Sequence, residues 1–294
     1  MKTMLSYRLL NDADFSSLYE CFLEAFSDYQ VDMQIAKQGF AQRLARDGVK
    51  LDLSVGAFDD DRMIGFYINA LGDWQGKQTV YDEGTGVIPH YRKRGVAQDA
   101  FAFMVSKLKE RAVSQYLLEV LTSNERAVAL YLKLGFVEVR RFAVFRSQQA
   151  LAPLEELTGV EIRRLEEPEW KLFQSFWDGY PSWQNSIAAA DRIPNDRTIM
   201  GAYVDGTCVG YGVVFKPVAN LMQLAVAPAY RRKGIGSRIL RALSDPETLK
   251  VNNIDEELKG TLAFFEANGF KMVLEQFEMT NAITTALGTV PTRQ

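Results

Sequence analysis

The chain contains one domain written twice, and that repeat constrains its fold more than any other feature. The run Val87-Ile88-Pro89-His90-Tyr91-Arg92-Lys93-Arg94-Gly95-Val96-Ala97 returns as Val226-Ala227-Pro228-Ala229-Tyr230-Arg231-Arg232-Lys233-Gly234-Ile235-Gly236. Further pairs keep the same order. Gly56-Ala57-Phe58 and Ile64-Gly65-Phe66 match Gly201-Ala202-Tyr203 and Val209-Gly210-Tyr211. Arg8, Leu10 and Phe15 match Arg163, Leu165 and Trp170, and Gly135-Phe136 matches Gly269-Phe270. Ordered matches with drifting offsets mean two copies of one unit with different loop lengths. A length of 294 residues suits two domains at roughly 150 residues each. The expected division is 1–148 and 160–294, with a linker at 149–159 and a flexible tail from about 281.

The patterning within the first copy fixes the fold class. Tyr7 to Leu10 reads as a short strand. Asn11 or Asp12 can then cap a helix carrying Phe15, Leu18, Cys21, Phe22 and Ala25 at helical spacing. Strands over 53–58 and 63–71 meet at Asp59-Asp60-Asp61, a hairpin signal. A strand over 79–88, a helix over 96–111, a strand over 116–121, a helix over 125–134 and one or two final strands over 136–145 follow. Antiparallel hairpins mixed with strand–helix–strand crossovers predict an α/β fold, a mixed sheet flanked by helices, built twice.

Composition removes several functional classes. The net charge of −3 and a pI near 5.5 argue against a dedicated nucleic-acid binder. Two cysteines and one histidine, His90, exclude a thiolate cluster and imidazole-based metal chemistry, so no metal is expected. No run approaches the about 20 apolar residues that span a bilayer, and the first residues do not read as a signal peptide. No membrane partner is expected, and a reducing cytoplasm is the expected location.

The repeated run itself carries chemistry. A strand ends at Pro89, a basic glycine-containing turn follows, and a helix begins. The first turn of a helix leaves N–H groups without partners and adds a partial positive charge. Glycine lets that backbone approach an anion closely, and Arg92, Lys93 and Arg94 add formal charge, which suits a pyrophosphate. A Walker loop lacks its Gly-Lys-Ser/Thr here, and a dinucleotide fingerprint lacks its third glycine.

The pattern Arg-x-x-Gly-x-Gly/Ala after a strand ending in Val-x-Pro instead resembles the acetyl-CoA loop of the GNAT superfamily of acetyltransferases. Asn124-Glu125-Arg126-Ala127-Val128-Ala129-Leu130-Tyr131-Leu132-Lys133-Leu134-Gly135-Phe136 is similar to that superfamily's second signature, without a gap. The chain is thereby identified as a tandem member with two GNAT-like domains, each a mixed, splayed β-sheet flanked by helices.

The resemblance implies a direct, ternary-complex transfer of acetyl from acetyl-CoA to a primary amine. Val87, Ile88, Arg92, Lys93, Arg94, Gly95, Val96 and Ala97 would hold the cofactor, with the Val87 N–H polarising the thioester carbonyl. Asn124 would bind the pantetheine arm or orient its helix, and Tyr131 would protonate the leaving thiolate. Glu83 is the favoured base, with Glu119 or a water relay as competitors. Strand alternation puts Tyr81, Glu83, Thr85 and Val87 on one face. The second loop supplies Val226, Arg231, Arg232, Lys233, Gly234, Ile235 and Gly236 as further cofactor contacts.

The second copy departs where chemistry would occur. Phe265 stands at the Tyr131 position, Leu258 at Asn124, Met222 at Glu83 and Asn220 at Tyr81. The first copy is therefore expected to be catalytic and the second degenerate. The alternative is an acyl-CoA-binding regulatory or sensor protein without turnover. The acceptor is a small-molecule amine or a peptide or protein amine. Asp28, Asp32, Asp73 and Asp82 are candidates for attracting it, as is any acidic surface. Cys21 lies on an apolar stripe and is expected in the core, and His90 carries no expected catalysis. Trp177, Tyr180 and Trp183 either line an acceptor cavity or form a satellite core. A monomer is compatible with a chain that can satisfy its sheet contacts internally.

Overall fold

Phe22 and Phe40, from two helices, meet at 4.8 Å between ring centroids, and Phe66 on a strand stacks on Phe22 at 6.1 Å. This aromatic group, buried with Leu18, Cys21, Ala25, Leu44 and Ile68, anchors the first copy's core. The computed structural model describes residues 5–152, 154, 157–244 and 248–283. The linker expected at 149–159 includes 153, 155 and 156, and the tail expected from about 281 includes 284–294. Both groups lie outside the described residues.

The first copy runs β1 (Ser6–Leu9), α1 (Phe15–Ala25), α2 (Lys37–Asp47), β2 (Val55–Asp59), β3 (Arg62–Trp74) and β4 (Lys77–Val87). It continues with α3 (Val96–Lys109), β5 (Gln115–Leu121), α4 (Glu125–Lys133) and β6 (Val137–Ser147). The second copy runs β7 (Glu161–Leu165), α5 (Trp170–Gln174), α6 (Ile187–Asp191), β8 (Arg197–Val204), β9 (Thr207–Phe215) and β10 (Asn220–Val226). Then come α7 (Ile235–Leu243), β11 (Lys250–Asp255), α8 (Lys259–Ala267) and β12 (Phe270–Ala282). Asn11 caps the first turn through Ala13 N at 2.9 Å, and α1 follows with Leu18, Cys21, Phe22 and Ala25 buried, as its spacing predicts.

By contact, the chain forms two compact units that are not contiguous in sequence. One comprises Met1–Glu119, Ala129–Val137 and Met279–Gln294; the other comprises Val120–Val128 and Glu138–Glu278. In the first unit β1, β2, β3 and β4 pair antiparallel in that order, and β4 pairs β5 in parallel. The Ile283 N–H donates to Ser114 O at 3.0 Å, bringing the end of the last strand beside this unit's β5 side. In the second unit β7, β8, β9 and β10 pair antiparallel, β10 pairs β11 in parallel, and β11 pairs β6 antiparallel. Thus β6, counted in the first copy by repeat matching, bonds to a strand of the second. A repeat locates homologous residues, whereas backbone pairing decides which sheet a strand completes.

One helix, α2, was not anticipated. Its sequence KQGFAQRLARD carries Gly39, a weak helix former, and only two aliphatic or aromatic positions, Phe40 and Leu44, face the core. Gly48 ends it in the left-handed region at φ 78°.

A buried polar knot ties this sheet to the loop that precedes β2. The Asn69 Nδ2 donates to Leu53 O at 2.7 Å and its Oδ1 accepts from Tyr116 OH at 2.6 Å. The Ser54 hydroxyl accepts from Asn69 N at 2.9 Å. An Asn69→Leu change keeps the branching of the side chain but strands the Tyr116 hydroxyl and the Leu53 carbonyl. We expect a loss of about 2–4 kcal/mol in urea unfolding, read as a lower midpoint with an unchanged slope.

Candidate active site

The site begins with one extra residue in β4. Gly84 pairs with Ile68 and Asp82 with Asn69, which leaves Glu83 as a bulge. Parallel pairing of β4 with β5 covers Thr79↔Gln115 to Asp82↔Leu118 and stops there. The second copy repeats both features: Met222 is the bulged residue between Leu221 and Gln223, and β10 pairs with β11 only through Asn220 and Leu221. A bulge bends and twists its strand, so the sheet parts at the same point in each unit.

Beyond the parting, backbone donors turn away from the neighbouring hairpin strand. Ile88 N donates to Ile64 O at 3.0 Å, which makes those two a hydrogen-bonded pair. In an antiparallel ladder the next residue, Val87, then directs its N–H away from β3, towards the side where β5 has left. In the second unit Ala227 N donates to Val209 O at 2.8 Å, so Val226 is placed alike.

The two loops fold with the same backbone. Lys93 and Arg232 take φ 63° and 62°, and Gly95 and Gly234 take φ 86° and 79° as helix N-caps. Neither cap glycine offers a side chain, so the first-turn N–H groups of α3 and α7 stay open to an anion. Val96 and Ile235 are buried anchors below the turn. At the third position Ala97 gives its carbonyl to Tyr67 OH at 3.1 Å, while a Cβ on Gly236 would meet the Phe264 ring at 3.2 Å.

The first arginine of each loop is a structural clamp. The Arg92 Nε donates to Val87 O at 3.0 Å, and its guanidinium bonds Ala25 O at 2.8 Å and Asp28 at 2.6 and 2.7 Å. Arg231 does the same with Val226 O at 2.9 Å, Phe176 O at 2.8 Å and Asp178 at 2.8 Å. These guanidiniums are committed to the strand end and to an aspartate, which leaves the formal charge at the turn to Lys93, Arg94, Arg232 and Lys233. Arg94 also approaches the His90 ring nitrogen at 3.4 Å, and His90 is exposed.

The two faces of β4 carry different chemistry. On the α2 side lies Glu83, buried, with its carboxylate hydrogen-bonded by Arg43 Nε and its carbonyl by Arg43 Nη2 at 3.2 Å. Burial pushes its carboxyl up to about 7, against the pull of Arg43. The buried pair Arg46–Asp47, at 2.8 Å, stands close enough to act on it. The Tyr81 hydroxyl bonds Glu119 Oε2 at 3.1 Å.

On the α3 side lie Asp82, Thr85 and Tyr131. Thr85 Oγ1 donates to Asp82 Oδ2 at 2.6 Å, and the buried Tyr131 hydroxyl stands close enough to act on this pair. Burial pushes the Asp82 carboxyl up to about 7 and holds the Tyr131 phenol well above its ordinary value. The bulge corrects a sequence expectation: Thr85 and Val87 do not share the face of Tyr81 and Glu83, because the extra residue reverses the alternation after it. Asn124 accepts from Ala127 N at 3.2 Å and so caps α4, the helix that carries Tyr131.

Two family models match the sequence over these elements. The Acetyltransferase (GNAT) family model covers residues 14–136, and the Acetyltransferase (GNAT) domain model covers residues 195–272. The chain belongs to the GNAT acetyltransferases. A tandem GNAT protein from the clavulanic acid biosynthesis pathway is similar at TM-score 0.72 and 16% identity, covering 96% of this chain and 99% of that one. A GCN5-related N-acetyltransferase from Sphaerobacter thermophilus is similar at TM-score 0.73 and 14% identity, covering 95% and 96%. Among curated proteins, the [Ribosomal protein bS18]-alanine N-acetyltransferase of Salmonella typhimurium is 37% identical over 83 residues, 27% of this chain and 51% of that protein. N-alpha-acetyltransferase MAK3 of Arabidopsis thaliana is 31% identical over 85 residues, 29% of this chain and 45% of that protein. The chain spans about half the length of the curated relatives it matches.

The second unit of this GNAT chain holds a cavity of about 850 Å³ that runs from the loop at Arg232 and Gly234 to Gln223 and Asn185. Its inner wall is a hydrogen-bonded chain: Trp177 Nε1 to Tyr211 OH at 2.6 Å, Tyr211 OH to Gln223 Oε1 at 2.8 Å, and Gln223 Nε2 to Asn185 O at 2.7 Å. Trp177 and Tyr180 line this cavity, and Trp183 is buried. Phe265 packs edge-on against Phe270 at 5.3 Å, as Tyr131 does against Phe136 at 5.5 Å, but without a hydroxyl. Leu258 precedes α8 with no side-chain cap.

The four aspartates proposed to attract an amine are each engaged. Asp28 holds Arg92, Asp82 is buried beside Tyr131, Asp32 accepts from Gln34 N at 2.9 Å and Asp73 from Gly76 N at 3.1 Å. Cys21 is buried in the core, with its thiol pushed up to about 12. Among the described residues no group of three or more His, Cys, Asp or Glu has the geometry to hold a metal ion, and no helix is long and apolar enough to cross a membrane. Arg43 was missed as a site residue, and Asp82 was weighed only as an attractor of the amine. Arg43 sits on the unanticipated α2, and the bulge that brings Asp82 to the face of Thr85 has no sequence signature.

The raised Asp82 carboxyl makes a signed prediction. Its folded value of about 7 exceeds the 3.8 of the free side chain, so the folded state holds the extra proton. Wild-type stability then falls as pH rises from about 4 to about 7. Asp82→Asn escapes that loss. Its stability relative to wild type should increase by on the order of 2–4 kcal/mol between pH 4 and pH 8 in denaturant unfolding.

Proposed function

We propose that the chain is an acetyl-CoA-dependent N-acetyltransferase whose chemistry takes place in the first unit. The observation that carries this reading is the Tyr131 hydroxyl beside the parted edge of β4, below an open helix N-terminus. Acetyl-CoA lies along that edge, with its pyrophosphate on the N–H groups of residues 93–97 and its thioester oxygen on the Val87 N–H. A primary amine attacks the thioester carbon directly, in a ternary complex. The Val87 N–H stabilises the oxyanion that forms. The Tyr131 phenol gives its proton to the departing thiolate, and Glu83 removes the proton from the amine.

The N-terminal acetyltransferase activities of the curated relatives favour an α-amine of a peptide or protein as acceptor, with small-molecule amines next. The buried carboxyls of Glu83 and Asp47 near Tyr81 give an incoming ammonium group an anionic surround. Their partners Arg43 and Arg46 moderate that charge and hold the Glu83 carboxyl in place.

A second reading is favoured by the second unit: acyl-CoA binding without turnover. Its loop has Arg238 in the first turn of α7, where the first loop has Asp99, and its cavity opens directly from the loop. Met222 and Phe265 supply neither a base nor an acid there. In a chain that is only a sensor, acetyl-CoA binds while no amine releases CoA.

The test is steady-state acetyl transfer to free-N-terminus peptides, followed by CoA release. Tyr131→Phe should lower kcat by about 10²–10⁴ while leaving the acetyl-CoA dissociation constant within about twofold. Equal kcat values would remove Tyr131 as the acid. Because Glu83 must be ionised to act, kcat/KM for the amine should rise with pH through about 7 and should lose that limb in Glu83→Gln. A wild-type profile flat from pH 6 to pH 8 would remove Glu83 as the base.

A further inference from the structure

We propose that Asp82 is a positioning residue acting through Tyr131: it returns to the phenol the proton given to the CoA thiolate, with Thr85 fixing the carboxyl for that exchange. The inference rests on the transferase reading of the first unit and adds a proton source to it.

The geometry comes from the bulge. Without an extra residue at Glu83, Asp82 and Thr85 would point to opposite faces of β4. With it, Thr85 Oγ1 donates to Asp82 Oδ2 at 2.6 Å, and the buried Tyr131 hydroxyl stands close enough to act on this pair. Asp82 is buried at 6% exposure, and its other oxygen, Oδ1, is buried with no hydrogen-bond partner. A carboxylate so placed is costly to keep charged, which favours the neutral acid. The ionisable groups that face it are Glu83 on its own strand, Tyr67 on β3, Tyr116 on β5 and Tyr131 on α4. Burial and Glu83 push it up to about 7, so near neutrality a large fraction carries a proton.

The internal repeat supplies an independent control. The bulges align Asp82 with Leu221 and Thr85 with Leu224, and Gly-Phe aligns Tyr131 with Phe265. The second unit keeps the bulge, the loop and the aromatic packing, yet all three polar side chains are replaced by apolar ones together. A carboxyl needed only to shape the strand would have been needed in both units.

The proton balance closes. The amine nitrogen bonds the thioester carbon, the carbon–sulfur bond breaks, and the thiolate takes the Tyr131 proton. The phenolate, disfavoured in its buried site, takes the proton of the Asp82 carboxylic acid. Glu83 accepts the proton leaving the amine nitrogen and releases it to solvent, from which Asp82 is reprotonated. The sum is acetyl-CoA plus amine giving acetamide plus CoA thiol.

The test uses the full chain with acetyl-CoA and a free-N-terminus peptide panel, over pH 6 to 9.5. Asp82→Asn, near-isosteric, should lower kcat at least about tenfold, keep KM for acetyl-CoA within about twofold and abolish the alkaline limb of kcat. Thr85→Val removes a hydrogen bond that lowers the Asp82 pKa, so it should move that limb to higher pH. Adding Asp82→Asn to Tyr131→Phe should change nothing further. Wild-type kcat and an unchanged limb in Asp82→Asn would overturn the proposal, as would an unmoved limb in Thr85→Val or multiplying losses in the double variant. Turnover with Asp82→Asn unaffected defeats this inference alone; no CoA release by wild type defeats the transferase reading and this with it.

Discussion

One extra residue in a strand sets the rest of the structure in place. The bulge at Glu83, and its twin at Met222, sit where parallel pairing with the next strand ends. A regular strand would keep bonding its neighbour to its end and would bury every amide in the ladder. The bulged strand instead frees the Val87 and Val226 amides, sends Glu83 and Tyr81 to one face, and gathers Asp82 and Thr85 on the other. The acid and base of the proposed transfer therefore approach one strand edge from opposite sides.

The second constraint is the arginine clamp. Arg92 and Arg231 each tie the strand end to the segment before the sheet through two carbonyls and an aspartate. They fix the turn on which the open helix N-terminus depends, and their guanidiniums are engaged there. The two units then differ in electrostatics: Asp99, bonded by Tyr7 OH at 3.3 Å, stands where Arg238 stands in the second loop. The unit with the polar residues for turnover has the less cationic loop, and the unit with the more cationic loop has an apolar Met222, Leu224 and Phe265. This division fits chemistry in one unit and retention of ligand in the other.

Much of this was legible in the sequence because it is written locally. The repeat, the loop glycines, the Asn124–Phe136 run, the α1 stripe and the Asp59–Asp61 hairpin all depend on residues a few positions apart. What stayed hidden depends on partners far along the chain. The α2 helix, with Gly39 and a thin apolar face, is held by packing of Phe40 on Phe22 rather than by propensity. Nothing in Asp82-Glu83-Gly84 marks a bulge, so the alternation rule misplaced Thr85 and Val87. The pairing of β6 with β11 is a choice between equivalent strand edges, which periodicity does not encode. Arg92 shows the same limit: its type and spacing announced an anion ligand, and only Asp28, far away in sequence, reveals the clamp.

Calorimetric titration of acetyl-CoA into the full chain and into Gly95→Val tests whether acetyl-CoA occupies the loop of residues 93–97. Gly95 holds φ 86°, which valine adopts only with strain. Saturable binding to wild type is expected, with one equivalent fewer in the variant and both proteins folded. No saturable heat in wild type, or an unchanged stoichiometry and affinity in Gly95→Val, would contradict it.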